Sequence, residues 1–120
     1  WVSSMTQRNV QVVISIPYRD REGQWIEFMQ QFEKFVNDSP EQNVRSWIIY
    51  LVDQFDAELF NRGWLFNVGL DLSLRRAAST GSREPDCVVI HDVDMIPQVG
   101  VDYSNCAWPL QLSSEIDRWG

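Results

Sequence analysis

Short apolar runs along the chain alternate with longer segments in which apolar residues recur every three or four positions. Val10 to Ile16 is a nearly continuous β-branched run, typical of a strand covered on both faces in a parallel sheet. Pro17 is predicted to end this strand. Apolar residues at offsets of three and four then predict a helix from Gln24 to Asn37, whose apolar face we assign to core packing. That face comprises Trp25, Phe28, Met29, Phe32, Phe35 and Val36.

The same alternation is repeated further along the chain. Asp38-Ser39-Pro40 is predicted to break the helix, and the run from Trp47 to Val52 predicts a second buried strand. Cys87 to Ile90 is a third apolar run. The order strand, helix, strand, helix, strand predicts right-handed crossovers and a parallel sheet of at least three strands.

The second helix is predicted to begin after Asn61, which would cap it, and to run to Ala78. Gly69 in its interior lowers helix stability by about 1 kcal/mol relative to alanine. We interpret that glycine as a sign that the helix backbone approaches a neighbour or a ligand closely. The predicted apolar stripe contains Leu65, Val68 and Leu72, with Leu70 and Leu74 beside it.

Composition and charge limit the possible partners. With 44% hydrophobic and 12% aromatic residues, the 120-residue chain is expected to form one domain or part of one. Its net charge of -7 argues against binding to nucleic acid or an anionic membrane, since both require clustered cations. The longest apolar run is too short to span a bilayer, so membrane attachment is expected only through an N-terminal anchor outside this chain. Lys34 is the only lysine among ten basic residues, and arginine suits bidentate phosphate recognition.

Two aspartates directly follow the third predicted strand. In a regular strand, Asp92 and Asp94 would point to one face and approach one cation. Ligands bind at the carboxyl ends of strands in open α/β sheets, and a hard divalent ion there can hold a nucleotide diphosphate through oxygen ligands. The alternative is an ordinary acidic turn, because ten aspartates give about one Asp-x-Asp pair by chance.

Arginines are predicted at the same edge. Arg19 and Arg21 follow the first strand, where they would offset the charge of a diphosphate. A solvated loop with a local ion pair is the alternative. Arg62 begins the second helix, whose first amides also favour an anion.

Three stretches, in this order, resemble motifs of the β-1,4-galactosyltransferase family. Residues 17–21, Pro-Tyr-Arg-Asp-Arg, resemble its Pro-Phe-Arg-Asn-Arg. Residues 60–69, Phe-Asn-Arg-Gly-Trp-Leu-Phe-Asn-Val-Gly, resemble its Phe-Asn-Arg-Ala-Lys-Leu-Leu-Asn-Val-Gly. Residues 92–97, Asp-Val-Asp-Met-Ile-Pro, are similar to its Asp-Val-Asp-Leu-Ile-Pro.

The resemblance runs from Val10 to Gly120. It implies an α/β fold of the GT-A (Rossmann-like) type, with a mainly parallel sheet flanked by helices. Residues 1–120 would be the N-terminal, donor-binding part of an incomplete glycosyltransferase domain. It also implies a UDP-sugar donor and Mn²⁺ as the metal ion.

The family resemblance implies specific roles for the residues that match the family's site positions. Asp94 would ligate the metal, and Asp92 would support the site and the sugar. His91 differs from the serine of the better-known members and resembles the His-Asp-Val-Asp of the branch that galactosylates xylose; from the residues alone it is an ordinary strand-end histidine. The residues that would contact UDP are Pro17, Tyr18, Arg19, Arg21, Phe60, Arg62 and Val93.

The two cysteines are informative about the cellular compartment. Cys87 and Cys106 are 19 residues apart, a spacing that suits either a disulfide or two buried thiols. The family has a disulfide at the matching positions, so the resemblance favours the bridge. It thereby implies a Golgi or other secretory lumen, with the chain as part of a type II membrane protein.

The family's acceptor-binding Trp-Gly-x-Gly-Glu-Asp segment, which includes its general base, has no counterpart before Gly120, nor has its downstream metal-binding histidine. Catalytic residues are therefore expected beyond Gly120, and this chain alone is expected to be inactive. The implied function is metal-dependent, inverting transfer of a hexose, with galactose favoured, from a UDP-sugar to a glycan acceptor hydroxyl. Two alternatives stay open: a non-catalytic UDP-sugar-binding remnant, and a haloacid-dehalogenase-like phosphatase that uses Asp92 and Asp94.

Overall fold

Three parallel strands and two helices build the part of the chain that the structure describes. The structure is a computed structural model that describes residues 10–40, 42–98 and 100–106. The predicted alternation of strands and helices and the parallel sheet are confirmed, with strand order β2-β1-β3. The elements are β1 (Val10–Tyr18), α1 (Glu22–Asp38), β2 (Val44–Asp53), α2 (Arg62–Thr80) and β3 (Cys87–Ile90).

The central strand, β1, continues through Pro17 to Tyr18, so the prediction that Pro17 ends it was wrong. Alternate residues of a parallel strand direct their backbone groups to the same neighbour. Ser15 faces β3, because its carbonyl accepts a hydrogen bond from the His91 amide at 3.1 Å. Pro17 has the same orientation, and β3 has already ended beside it. The missing N–H of the proline therefore removes no hydrogen bond from the sheet.

Helix α1 covers one face of the sheet with aromatic side chains. Phe28, Phe32 and Phe35 are buried in one cluster with the β1 residues Val12, Ile14 and Ile16. Met29, which was predicted on this face, is 41% exposed. It lies about 100° around the helix from Phe28, outside the narrow stripe at positions 28, 32 and 35.

Helix α2 covers the other face, and its buried stripe differs from the prediction. The buried residues are Leu65, Gly69, Ser73 and Ala77. A Cβ atom on Gly69 would lie 2.9 Å from the Ser15 Cβ and closer still to the Ser15 Oγ. Because the helix backbone rests directly on β1, small side chains fill the contact. Leu65 is buried as predicted, whereas Leu70, Leu72 and Leu74 are exposed to 38%, 42% and 38%.

The ends of α2 follow from local capping. The Asn61 side chain accepts a hydrogen bond from the Trp64 amide at 3.1 Å, which confirms the predicted cap. At the other end, Gly81 adopts a left-handed conformation with φ of 67°, as in glycine-terminated helices. In the described part of the chain, no helix has the length and apolar character needed to cross a membrane.

A disulfide joins the sheet to the last described segment. Cys87, the first residue of β3, is bonded to Cys106, with their Cα atoms 5.7 Å apart. This confirms the pairing that the family resemblance favoured. Tyr103, three residues before Cys106, is buried in the core cluster beside Phe35 and Trp47. The bridge therefore holds the segment that follows the acidic motif against the sheet.

Gly69→Ala is expected to lower the free energy of unfolding by about 1–3 kcal/mol, because the added methyl group must displace Ser15 or lift α2 from the sheet. The matched control is Gly63→Ala in the first turn of the same helix, where a Cβ atom would meet nothing within 4 Å. It is expected to leave stability unchanged or raise it by up to about 1 kcal/mol. Urea denaturation followed by circular dichroism compares the two. Equal stabilities would contradict direct packing of α2 on β1.

Cys106→Ser is expected to lower the free energy of unfolding by about 3 kcal/mol, because the disulfide closes a loop between residues 19 apart and restricts the unfolded chain. Denaturation with and without a reducing agent measures the effect. Reduction should destabilise the wild-type chain by a similar amount and leave the variant unchanged. Insensitivity of the wild type to reduction would contradict the prediction.

Candidate functional site

The acidic motif after β3 forms a turn. The Met95 amide donates a hydrogen bond to the Asp92 carbonyl at 3.1 Å, with Val93 and Asp94 between them. Val93 is buried in the core, whereas Asp94 is exposed. The prediction that both aspartates point to one face of a regular strand was therefore wrong. The reason is that β3 ends at Ile90 and the last backbone hydrogen bond to β1 comes from the His91 amide, which leaves the following residues free to turn.

Arg62 reaches this acidic turn from the first turn of α2. Its Nε and Nη2 atoms donate to the two carboxylate oxygens of Asp92, both at 2.7 Å. The bidentate geometry is the strongest that an arginine and a carboxylate form. Because both side chains are partly exposed, the pair contributes no more than about 1 kcal/mol to stability. Its main effect is to fix the start of α2 relative to the end of β3.

Arg19 leaves the end of β1 and contacts the loop between β2 and α2. Its Nη2 atom donates to the backbone carbonyl of Asp56 at 3.2 Å, and its guanidinium carbon lies 5.8 Å from the centre of the Phe60 ring. The Arg19 Nε atom is buried and has no hydrogen-bond partner among the described residues. A buried donor in this state marks a position where an oxygen atom of a ligand or water would be stabilised.

The loop between β2 and α2 is organised by Gln54, which sequence reasoning missed. Gln54 is 6% exposed. Its Nε2 atom donates to the Asp56 carboxylate at 2.8 Å and to the Leu59 carbonyl at 3.0 Å, and its Oε1 atom accepts from the Asn61 amide at 2.9 Å. These bonds hold Phe60 and the start of α2 at the sheet edge. The signal that could have revealed this role is the position of a polar residue directly after a buried strand.

His91 lies beneath the acidic turn. Its Nδ1 atom is 2.8 Å from the Asp92 carbonyl oxygen, and its Nε2 atom is 3.1 Å from the Tyr103 hydroxyl. Burial lowers the pKa of His91 below its ordinary value of 6.5, against the opposing effects of the Asp92 hydrogen bond and the charges of Asp92 and Asp94. Because a carbonyl only accepts hydrogen bonds, Nδ1 carries the proton of the neutral ring.

Contacts link some of the predicted site residues to neighbouring segments at the carboxyl edge of the sheet. Contacts connect Arg19 to the loop before α2, and connect Arg62 at the start of α2 to Asp92. Pro17 and Tyr18 form the adjoining end of β1. Arg21 is exposed at the start of α1, and its side chain makes no capping hydrogen bond. Within residues 10–40, 42–98 and 100–106, no hydrogen bond or ion pair joins Asp94 to an arginine.

The fit of a metal ion to this edge is partial. Among the described residues, no three or more His, Cys, Asp or Glu side chains form a cluster that could hold a metal ion. The exposed Asp94 carboxylate and the remaining lone pairs of Asp92 offer one or two oxygen ligands. A hard divalent cation completes its coordination with water and phosphate oxygens. The turn therefore suits a site shared with a phosphate ligand rather than a closed protein cage.

The chain is an open, parallel α/β sheet with an acidic turn and arginines at its carboxyl edge, the edge at which ligands bind in this class of fold. The chain belongs to the family described as the N-terminal region of glycosyl transferase group 7, whose model matches residues 2–107. It is 27% identical to human β-1,4-galactosyltransferase 5 over 120 residues, which cover 99% of this chain and 28% of that protein. It is 30% identical to mouse β-1,4-galactosyltransferase 4 over 95 residues, which cover 79% of this chain and 25% of that protein.

Solved structures show the same fold. Drosophila β-1,4-galactosyltransferase 7 matches with a TM-score of 0.59 and 28% identity, over 74% of this chain and 32% of that one. One such structure is a mutant in complex with manganese, UDP-Gal and xylobiose. The GT-A-type α/β fold is therefore confirmed, and the family match decides against the phosphatase alternative. The chain spans between a quarter and a third of the length of these relatives.

The free energy of unfolding is expected to fall as the pH is lowered from 7.5 through 6.5. The folded-state pKa of His91 is lowered, so the unfolded chain binds a proton that the folded chain does not, until the pH passes below the folded-state pKa. His91 is the only histidine, so its variant His91→Gln should show a much smaller slope in this window. Urea denaturation at several pH values measures the slope, and NMR titration of the single imidazole measures the folded-state pKa. A stability that rises on acidification would contradict the prediction.

Proposed function

We propose that this chain is the donor-binding half of a metal-dependent, inverting glycosyltransferase that transfers a hexose, with galactose favoured, from a UDP-sugar to a glycan acceptor hydroxyl. The observation that carries the proposal is the bidentate pair between Arg62 and Asp92, which joins a helix start and an acidic turn at the carboxyl edge of the sheet. Support comes from relatives named β-1,4-galactosyltransferases and from a structural neighbour in complex with manganese and UDP-Gal.

The arginines of this edge would neutralise the diphosphate of the donor. A chain with a net charge of -7 repels an anion unless cations are concentrated locally. Arg62 uses Nε and Nη2 for Asp92, which leaves Nη1 for a phosphate oxygen. Arg19 offers its buried, unpartnered Nε atom. The other proposed contacts to UDP are Pro17, Tyr18, Arg21, Phe60 and Val93.

The two aspartates of the turn would have different roles. Asp94 is exposed and would ligate Mn²⁺. Asp92 is held by Arg62 and would support the site and the sugar. When bound, the metal ion supplies Lewis-acid stabilisation of the departing UDP. The protein contributes a fixed carboxylate and the nearby arginine charge.

Acceptor binding and the general base are proposed to lie outside residues 1–120. This chain alone would then bind the donor without transferring the sugar, and a non-catalytic, donor-binding remnant would behave in the same way. Assay of sugar transfer by a longer protein that carries this chain separates the two. The Cys87–Cys106 disulfide supports an oxidising compartment, and we propose the Golgi or another secretory lumen, with a type II membrane anchor outside the chain.

Asp94→Ala is expected to weaken the binding of UDP in the presence of Mn²⁺ by about tenfold or more, because a direct metal ligand is lost. Binding in the presence of EDTA should change little. The matched control is Asp71→Ala, which removes another exposed carboxylate from the middle of α2. Isothermal titration calorimetry measures both affinities. An unchanged Mn²⁺-dependent affinity in Asp94→Ala would overturn the assignment of the metal ligand.

A further inference from the structure

A chain of hydrogen bonds leads from the acidic turn into the core. His91 contacts the Asp92 carbonyl oxygen at 2.8 Å and the Tyr103 hydroxyl at 3.1 Å. The Tyr103 amide donates to the Gln42 Oε1 atom at 3.0 Å, and the Gln42 Nε2 atom donates to the Val101 carbonyl. His91, Tyr103 and Gln42 are 8%, 5% and 6% exposed. This buried hydrogen-bond chain is built from residues that are almost completely shielded from solvent.

The Asp92 carbonyl oxygen takes part both in the buried hydrogen-bond chain and in the acidic turn. The Asp92 carbonyl accepts from the Met95 amide at 3.1 Å, which closes the turn, and also lies within hydrogen-bond distance of the His91 Nδ1 atom. A carbonyl oxygen has two lone pairs, one for each donor. The imidazole therefore fixes the orientation of the peptide group between Asp92 and Val93. Asp94 lies two residues after Asp92, so its position depends on that orientation.

The imidazole is itself held in place. Its ring packs edge-on against Phe28, with ring centres 5.1 Å apart, and stacks on Tyr103 at 6.2 Å. Tyr103 in turn contacts Phe35 and Trp47. Burial raises the pKa of Tyr103 to about 12, so its hydroxyl keeps its proton at neutral pH and can donate to the His91 Nε2 atom. The Nδ1 proton then remains directed at the Asp92 carbonyl.

We propose that His91, held by Tyr103, is a positioning residue that fixes the acidic turn so that Asp94 is presented to the metal ion and its bound diphosphate. This inference rests on the proposed function and adds to it a role for a buried residue that is not among the proposed metal ligands or donor contacts. Packing alone requires only an apolar side chain of similar size at position 91. Positioning requires an N–H group directed at the Asp92 carbonyl.

Three variants separate these two roles. His91→Leu introduces an apolar side chain of similar size that has no N–H group. Tyr103→Phe keeps the ring and removes the hydroxyl that holds the imidazole. His91→Asn retains a side-chain N–H at a position comparable to Nδ1 and serves as the conservative rescue. Affinity for UDP with Mn²⁺ and with EDTA is measured by calorimetry for each variant, together with its thermal midpoint.

His91→Leu and Tyr103→Phe are expected to weaken Mn²⁺-dependent UDP binding about tenfold, in line with the loss of groups that orient metal ligands, and to leave binding in EDTA nearly unchanged. His91→Asn loses the contact with Tyr103 but keeps a donor for the Asp92 carbonyl, so it is expected to bind UDP with Mn²⁺ more tightly than His91→Leu does. Wild-type affinity in His91→Leu would overturn the positioning role and leave the proposed function intact. Absence of Mn²⁺-dependent binding in the wild-type chain would overturn both.

A second measurement does not require a folded variant. NMR of ¹⁵N-labelled wild-type protein reports the tautomer of its single histidine directly. The neutral ring is expected to carry its proton on Nδ1 in the folded chain. A proton on Nε2 would overturn the inference even if every substitution at position 91 unfolds the protein.

Discussion

The contact between Gly69 and Ser15 determines where the second helix lies, and the candidate site depends on that placement. With no side chain at Gly69, α2 rests on the central strand, and the Ser15 Oγ atom is buried below it without a hydrogen-bond partner among the described residues. The first residue of α2, Arg62, is seven positions earlier, about 10 Å along the helix axis. A helix held farther from the sheet would move Arg62 away from Asp92. Close packing in the core thus sets a hydrogen-bond geometry at the edge.

The pair between Arg62 and Asp92 also gives the two carboxylates of the acidic turn different surroundings. Asp92 lies against a guanidinium that offsets its charge, whereas Asp94, two residues later, is exposed at the turn. An exposed pair of this kind adds little to stability, so it acts mainly by fixing the local geometry and the local electrostatic potential. In the proposed site, the carboxylate without a cation is the one available to a metal ion. The paired arginine would then remain close to the proposed diphosphate.

Much of the fold was predictable because buried strands leave continuous apolar runs. Cys87 to Ile90 was predicted to the residue, and the Asn61 cap follows from the hydrogen bonding of its own side chain. Other features depend on neighbours that a linear pattern does not contain. The stripe through Gly69 has almost no hydrophobic signal, since its close packing needs small side chains. Pro17 is tolerated because β3 ends beside it, and strand alternation failed at Asp92 because pairing had ended.

His91 shows the same limit at the site itself. Its place at the end of an apolar run indicates an ordinary strand-end residue, yet both ring nitrogens have partners in the interior. Burying an imidazole is unfavourable unless its polar atoms are hydrogen-bonded, and here each bond restricts the ring to one orientation. A leucine would fill the space but would leave the Asp92 carbonyl with one donor instead of two. The shape of the acidic turn is therefore best explained by His91, which is buried beneath the turn.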